Sequence, residues 1–306
     1  MTISIISHPD CALHEMGAHH PESPARLTAI QDQLLATGLS LVLQHHDAPL
    51  ATREQLCRVH DAEYVEQIFL RSPSEGQLWL DPDTSMNPHS LSAALHAAGA
   101  VVLGVELVMN GEASAVFCNV RPPGHHAEHD RAMGFCIFNN IAVGAAHALQ
   151  VYKLKRIAIV DFDVHHGNGT EDIFRVVSEV LFCSTFQYPF YPHTGSDTSS
   201  QHIVNVPLPA GTDGPAFRDA VTAHWLPRLE AFQPELILIS AGFDAHVEDD
   251  MAGLRLLDQD YAWVTSKVKK IADKYAEGRI VSALEGGYAL PALGRSVVEH
   301  INALLG

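Results

Sequence analysis

The sequence predicts an α/β fold in one domain, a parallel sheet with helices on both faces. Three observations predict it. Short apolar runs rich in valine and isoleucine occur at 115–118, 157–160, 180–182, 236–239 and 280–283, as expected of strands buried on both faces. Longer segments of helical pattern accompany them at 91–109, 141–152, 169–177, 216–231, 258–275 and 292–305. No Pro/Gly/Ser-rich linker, internal repeat or low-complexity tract divides the 306 residues, so 1–306 is read as a single domain.

The elements follow in chain order. Ser23-Pro24 reads as an N-cap followed by proline at the first helical position, opening a helix through Leu35. RSPSEG (71–76) and LDPDTSMNP (80–88) are loop signals. The most apolar segment, 93–109, is interrupted by His96 and Glu106 and reads as too short and too polar to span a membrane. The run at 115–118 leads into RPPGHH, that at 157–160 into DFDVHHGNG, that at 236–239 into SAGFDAH, and that at 280–283 into LEGGY. Open parallel sheets build their sites at the carboxyl ends of strands, so four polar clusters at four such ends predict one shared site.

Composition narrows the function. A formal charge of −17 argues against a nucleic-acid-binding protein, which shows a basic patch. The acidity fits a cationic substrate, and solubility accounts for it more simply. Five widely spaced cysteines (11, 57, 118, 136, 183) without C-x-x-C read as reduced thiols. The N-terminus lacks a basic region followed by a long apolar stretch, so the expectation is a cytoplasmic protein without signal peptide. Twenty histidines are many for this length, and their placement carries the chemistry.

In an extended segment, Asp161, Asp163 and His165 share a face, and carboxylate and imidazole at that spacing reach one divalent ion. A lone D-x-H is more simply a polar strand end with solvated acids. Here a second histidine, a Gly-Asn-Gly turn and the converging clusters favour the metal. Asp244 is the natural third ligand, since an uncompensated carboxylate just past a buried run is costly. Its plainer role is a helix cap, and His246 competes with it as ligand. His125 and His126 suit acid/base work near a metal-bound water, or else are one ligand and one structural histidine. Tyr288, after Gly286-Gly287, is placed to donate to a developing oxyanion, or else is a core tyrosine.

Together these motifs resemble the zinc-dependent histone/lysine deacetylase family. The carrying segments are HPESPARL (20–27), RPPGHHAE (121–128), GFCIFNN (134–140), DFDVHHGNGT (161–170), SAGFDAH (240–246) and LEGGY (284–288), in the family's order. Asn168 stands where class I members carry aspartate, which gives the chain a class II-like, bacterial flavour. The resemblance implies an arginase/deacetylase fold with about eight parallel strands. It implies one Zn²⁺ on Asp163, His165 and Asp244, and two carboxylate ligands also suit Fe²⁺ or Co²⁺.

The resemblance also implies roles. His126 is the base that takes the water proton and later protonates the leaving amine, oriented by Asn168. His125, oriented by Asp161, stabilises the transition state, and Tyr288 donates to the carbonyl oxygen. Gly134 and Phe135 form one wall of a lysine tunnel and Tyr191 the other, with Phe190 as the alternative. Met251 falls at a rim position where acetylpolyamine-selective members can carry glutamate. Asp83 is a candidate for holding the substrate backbone, and Arg26 for lining an acetate-release channel. Asp161, Asp163, His165, Ser184 and Thr185, and separately Phe174, Val177 and Val180, match sites for K⁺ or Na⁺. The implied substrate is an acetylated lysine in a protein or peptide, with a small acetylated amine such as a polyamine as the alternative. A silent acyl-lysine binder and a two-metal ureohydrolase are weaker alternatives. The segment 249–253 lacks the Asp-Pro common in the family, so the loop after Asp244 is expected to differ.

Overall fold

All five apolar runs form strands of one sheet in the structure, a computed structural model that describes residues 2–198 and 200–306. The strands are β1 (Ile3–Ser7), β2 (Gln44–Asp47), β3 (Leu78–Trp79), β4 (Ser85–Met86), β5 (Ala115–Cys118), β6 (Ile157–Asp161), β7 (Val180–Gln187), β8 (Ile203–Leu208), β9 (Leu236–Ala241) and β10 (Ile280–Leu284). Eight of them make a sheet in the order β2-β1-β5-β10-β9-β6-β7-β8, with every neighbouring pair parallel. The remaining two, β3 and β4, form a small antiparallel pair, with β4 inside the segment 80–88 read as loop and β3 just before it.

Alternation along the strands demands cover on both faces. In β6, Ile157 and Ile159 enter one core while Ala158 and Val160 enter the other. The helices are α1 (Ala25–Ala36), α2 (Arg53–Leu56), α3 (Ala62–Arg71), α4 (Ser90–Met109), α5 (Asn140–Val151), α6 (Asn168–Phe174), α7 (Gly214–Ala220), α8 (Leu226–Phe232), α9 (Asp258–Tyr275) and α10 (Leu290–Leu305). Helices α2 to α6 fill the first core, and α1 with α7 to α10 fill the second.

Several details differ from the sequence reading. The first helix starts at Ala25, and Ser23 contributes its carbonyl to Arg26 N–H rather than a side-chain cap. The segment 216–231 is not one helix. A π-helical turn at Val221–Trp225 separates α7 from α8, because Pro227 has no N–H to continue the regular ladder. Helix α4 is 20 residues long with a mean hydropathy of 1.8, so length and polarity alone do not exclude a span. Its place decides the matter, since 78% of that stretch is buried inside the protein, against β1, β5, β10 and α5.

The four strands whose ends carry the polar clusters, β5, β10, β9 and β6, are consecutive neighbours at the centre of the sheet. Their carboxyl ends therefore open onto one place.

Candidate active site and metal centre

Strand β6 ends at Asp161, so Asp163 and His165 do not reach the site by strand alternation as the sequence reading supposed. The chain hooks instead. Asp163 N–H donates to Asp161 Oδ1 (3.1 Å), and His165 N–H donates to Asp163 Oδ1 (2.8 Å). Short acceptor side chains bonding backbone two residues on make such turns. The result points Asp163 and His165 toward Asp244, which follows β9. His165 Nδ1 lies 3.0 Å from Asp163 Oδ1 and 3.2 Å from Asp244 Oδ2. Asp244 Oδ1 accepts from Val164 N–H (3.0 Å), and Asp163 Oδ2 from Gly286 N–H (2.8 Å). A Cβ on Gly286 would sit 2.1 Å from Asp244 Oδ2, so only glycine lets the β10 loop close over the acids.

The donor set fits a divalent cation. Ligand atoms of Asp163, His165 and Asp244 all lie within 4.8 Å of one another, and all three residues are buried. Asp244 Oδ2 is buried without a hydrogen bond, an orphan that an ion would satisfy. Burial disfavours a charged His165, yet the neighbouring carboxylates of Asp163 and Asp244 outweigh that and push it up to about 10. Burial and the adjacent Asp163 raise Asp244 to about 6. A pocket this anionic, offering two carboxylates and one imidazole, suits Zn²⁺ or a similar ion. Asp161, the remaining acid, is engaged by His125. His246, the competing ligand, turns away to Asp258 (3.1 Å). A second group, His8, Asp10 and His96, lies beyond β1. Its imidazoles stack 3.4 Å apart at 11°, and two parallel planes that far apart cannot both contain one ion.

The adjacent histidines share the site because the chain turns at Gly124, whose carbonyl accepts from Ala127 N–H (3.0 Å). Their ring centroids are 4.0 Å apart. His125 Nδ1 is 2.9 Å from Asp161 Oδ2, and His126 Nδ1 is 2.7 Å from Asn168 Oδ1. Burial alone would lower both rings. Asp161, Asp163 and Glu285 overcome it at His125 and raise it well above the usual histidine range. At His126 burial prevails, reinforced by His125 and His165, and the ring is lowered well below that range. The two neighbouring rings are thus driven apart, His125 toward the charged form and His126 toward the neutral one. Gly134, at φ 56°, leaves room for His126, since a Cβ there would meet its Cδ2 at 2.4 Å.

Residues with no role in the sequence reading hold these groups. Glu285 Oε2 accepts from Gly124 N–H (2.7 Å) and His125 N–H (3.1 Å), tying the LEGGY loop to the histidine turn. Asp249 Oδ2 accepts from Tyr288 N–H (2.6 Å) and Ala289 N–H (2.9 Å), which fixes the tyrosine's backbone. Asp249 is how this loop anchors Tyr288 in a segment lacking Asp-Pro. Burial raises the Tyr288 phenol well above its usual range, so it stays a neutral donor.

Arg26 is fully buried. Its guanidinium lies 4.9 Å from the Tyr288 ring centroid and donates to the carbonyls of Gly287 (2.7 Å) and Glu285. Glu22 pairs with both Arg26 and Arg121, 3.5 Å from His14. Burial would raise Glu22, but Arg121, Arg26 and His14 prevail and hold it at about 2. Glu22→Gln is expected to destabilise the protein by about 3–5 kcal/mol, because it strands two buried guanidiniums. The parent's advantage is present above the ordinary glutamate range and is lost as pH falls from about 4.3 toward the folded value. Denaturant midpoints of parent and variant at pH 7 and near pH 3 check both statements, and equal midpoints at pH 7 would refute the first.

A cavity of about 170 Å³ leads to this centre, lined among others by His125, His126, His165 and Tyr288. Gly134, Phe135, Tyr191, Met251 and Asp83 line it too, as does Phe190. Both aromatic alternatives are therefore wall residues. Phe190 stacks on His165 at 5.5 Å, and Tyr191 meets His126 edge-on at 5.2 Å. Phe135 adopts φ 69° and is pinned by Thr84 Oγ1, which accepts from its N–H (2.9 Å). Asp83, half-buried and beside Asp81, is raised to about 6 by burial and that neighbour. Ser184 pairs in register with Asp161, with Thr185 the next residue of β7. The Phe174 carbonyl already accepts from Val177 N–H (3.0 Å) and faces His202 Nε2 (3.2 Å), and the Val177 carbonyl accepts from Val180 N–H (3.1 Å).

Residues 20–304 match the histone deacetylase domain family. The chain is 39% identical to an uncharacterized protein of Synechocystis, over 99% of each chain. It is 36% identical to the histone deacetylase-like amidohydrolase of Pseudomonas aeruginosa, over 94% of this chain and 78% of that one. The solved structure of the HDA15 HD domain superposes with a TM-score of 0.94 at 34% identity, covering 100% of this chain and 90% of that one.

Proposed function

The chain belongs to the histone deacetylase family of deacetylases and amidohydrolases, and from that premise we propose that it hydrolyses N-ε-acetyl-lysine in proteins or peptides, releasing acetate, with one Zn²⁺ held by Asp163, His165 and Asp244. The observation that carries the reading is the split pair His125 and His126 beside a buried carboxylate–imidazole set at the foot of a narrow cavity.

Asp163, His165 and Asp244 would hold a divalent ion, which would supply Lewis-acid polarisation of the amide carbonyl and lower the pKa of a water. The remaining chemistry belongs to the chain. His126, with Nδ1 committed to Asn168, offers Nε2 to take the water proton. His125, paired with Asp161 and kept protonated, places positive charge where the carbonyl oxygen gains negative charge. Tyr288 donates its phenol hydrogen to the same oxygen. As the C–N bond breaks, the proton held by His126 passes to the leaving amine. Phe135 and Tyr191 enclose an aliphatic stem and exclude water from it. The half-buried Asp83 at the cavity accepts hydrogen bonds from a substrate backbone, and K⁺ or Na⁺ beside Asp161 and Ser184 would brace the β6–β7 ends.

The narrow, mainly apolar cavity suits a single alkyl stem, and Met251 at its rim adds no charge to select a second amine. Acetyl-lysine peptides are therefore expected to turn over with higher kcat/KM than acetylated diamines or polyamines, and a chelator is expected to abolish both activities. A panel of the two substrate classes, with and without chelator, checks this. Preference for the polyamines would transfer the reading to small acetylated amines, and turnover unaffected by chelation would overturn the metal assignment.

A further inference from the structure

We propose that Glu128 is a positioning residue for His126, setting through Asn168 which ring nitrogen of the base is free. The inference rests on the reading of His126 as base.

A side-chain amide is pseudo-symmetric, and its direction is decided by its neighbours. Asn168 Nδ2 faces three acceptors: Glu128 Oε1 at 2.7 Å, Met133 Sδ at 3.3 Å and the His126 carbonyl at 3.4 Å. Turning the amide over would set Oδ1 against all three. Only Glu128 among them is charged, and a charge-assisted bond of this length is the strongest of the set. The amide is thus held with Oδ1 toward His126 Nδ1. An oxygen there requires Nδ1–H, which leaves Nε2 as the proton acceptor.

Glu128 is itself fixed. Its carbonyl lies 2.9 Å from His60 Nδ1, and its N–H donates to the Arg131 carbonyl (3.0 Å). Its other carboxylate oxygen pairs with Arg131 (2.7 Å), a side chain that is 62% exposed. A chain of four side chains, Arg131–Glu128–Asn168–His126, therefore runs from the surface to the base. An aspartate at 168 would present oxygen to His126 whichever way it turned, but it would repel Glu128.

The test is a double-mutant cycle. Glu128→Lys places donors against Nδ2 and should invert the amide, moving the His126 proton to Nε2. The expected results are a fall in kcat of order 10–100-fold with KM little changed, and a switched tautomer by ¹⁵N NMR of the metal-free protein. Glu128→Gln keeps an acceptor and should stay near the parent. Asn168→Asp in the Glu128→Lys background should restore both the tautomer and most of kcat, which a merely structural role for Glu128 would not produce. If Glu128→Lys disturbs folding, as thermal melting would show, Glu128→Ala reads the same tautomer. A parent-like tautomer and kcat in both Glu128→Lys and Glu128→Ala would overturn the inference. Retained turnover in His126→Ala would instead overturn the base assignment itself.

Discussion

Tyr288→Phe is expected to lower kcat by about 10²–10³-fold, roughly 2.7–4 kcal/mol of lost transition-state stabilisation, while KM and metal content stay near the parent values. The substitution removes one hydroxyl and little else. The ring keeps its contacts with Arg26 and Phe135, at 4.9 and 6.1 Å, and the backbone keeps its two bonds to Asp249. Tyr288 is not one of the three clustered ligands, so ion binding has no reason to change. Because burial keeps the phenol protonated, the parent donates across the neutral range and the defect should not vary with pH there. Steady-state kinetics beside metal analysis checks the split. Near-normal turnover would remove Tyr288 from the chemistry and leave His125 as the principal oxyanion partner.

What was legible in the sequence followed burial. Strands β5, β6, β7, β9 and β10 are apolar because both faces are covered, so their runs stand out against their flanks. The edge strand β2 is Gln-His-His-Asp, mostly exposed, and offers no such signal. The candidate metal ligands stood out in the sequence because a carboxylate just past a buried strand is costly unless a cation or a donor compensates it. The reason they meet did not, since the turn after Asp161 depends on side-chain to backbone bonds rather than on strand period. Glu285, Asp249 and Glu128 escaped for a related cause. Each acts by accepting from groups distant in sequence, 160 residues apart for Glu285 and His125 N–H, and one chain without its fold does not pair such positions. Phe190 and Tyr191 could not be ranked because both face the cavity.

Asp244→Asn is expected to have the largest effect on activity and an opposite effect on stability in the metal-free state. Orienting partners of a metal ligand alone are worth about 10–100-fold in affinity, so replacing a ligand carboxylate by a neutral amide should exceed that and leave turnover at background. The fold has little reason to suffer. An asparagine keeps the acceptor for Val164 N–H and fills the same volume. It also relieves the metal-free protein of a buried carboxylate set beside Asp163 with one oxygen unsatisfied. The metal-free variant should therefore melt above the metal-free parent, while added Zn²⁺ should raise the parent's Tm and not the variant's. Melting curves of both proteins, stripped and reloaded, separate this from simple misfolding, which would lower the variant's Tm in every condition. A variant stabilised by Zn²⁺ as strongly as the parent would place the ion elsewhere. The carboxylates that cost stability without an ion are then the ones that define the site, because a protein retains buried, mutually repelling acids where a ligand compensates them.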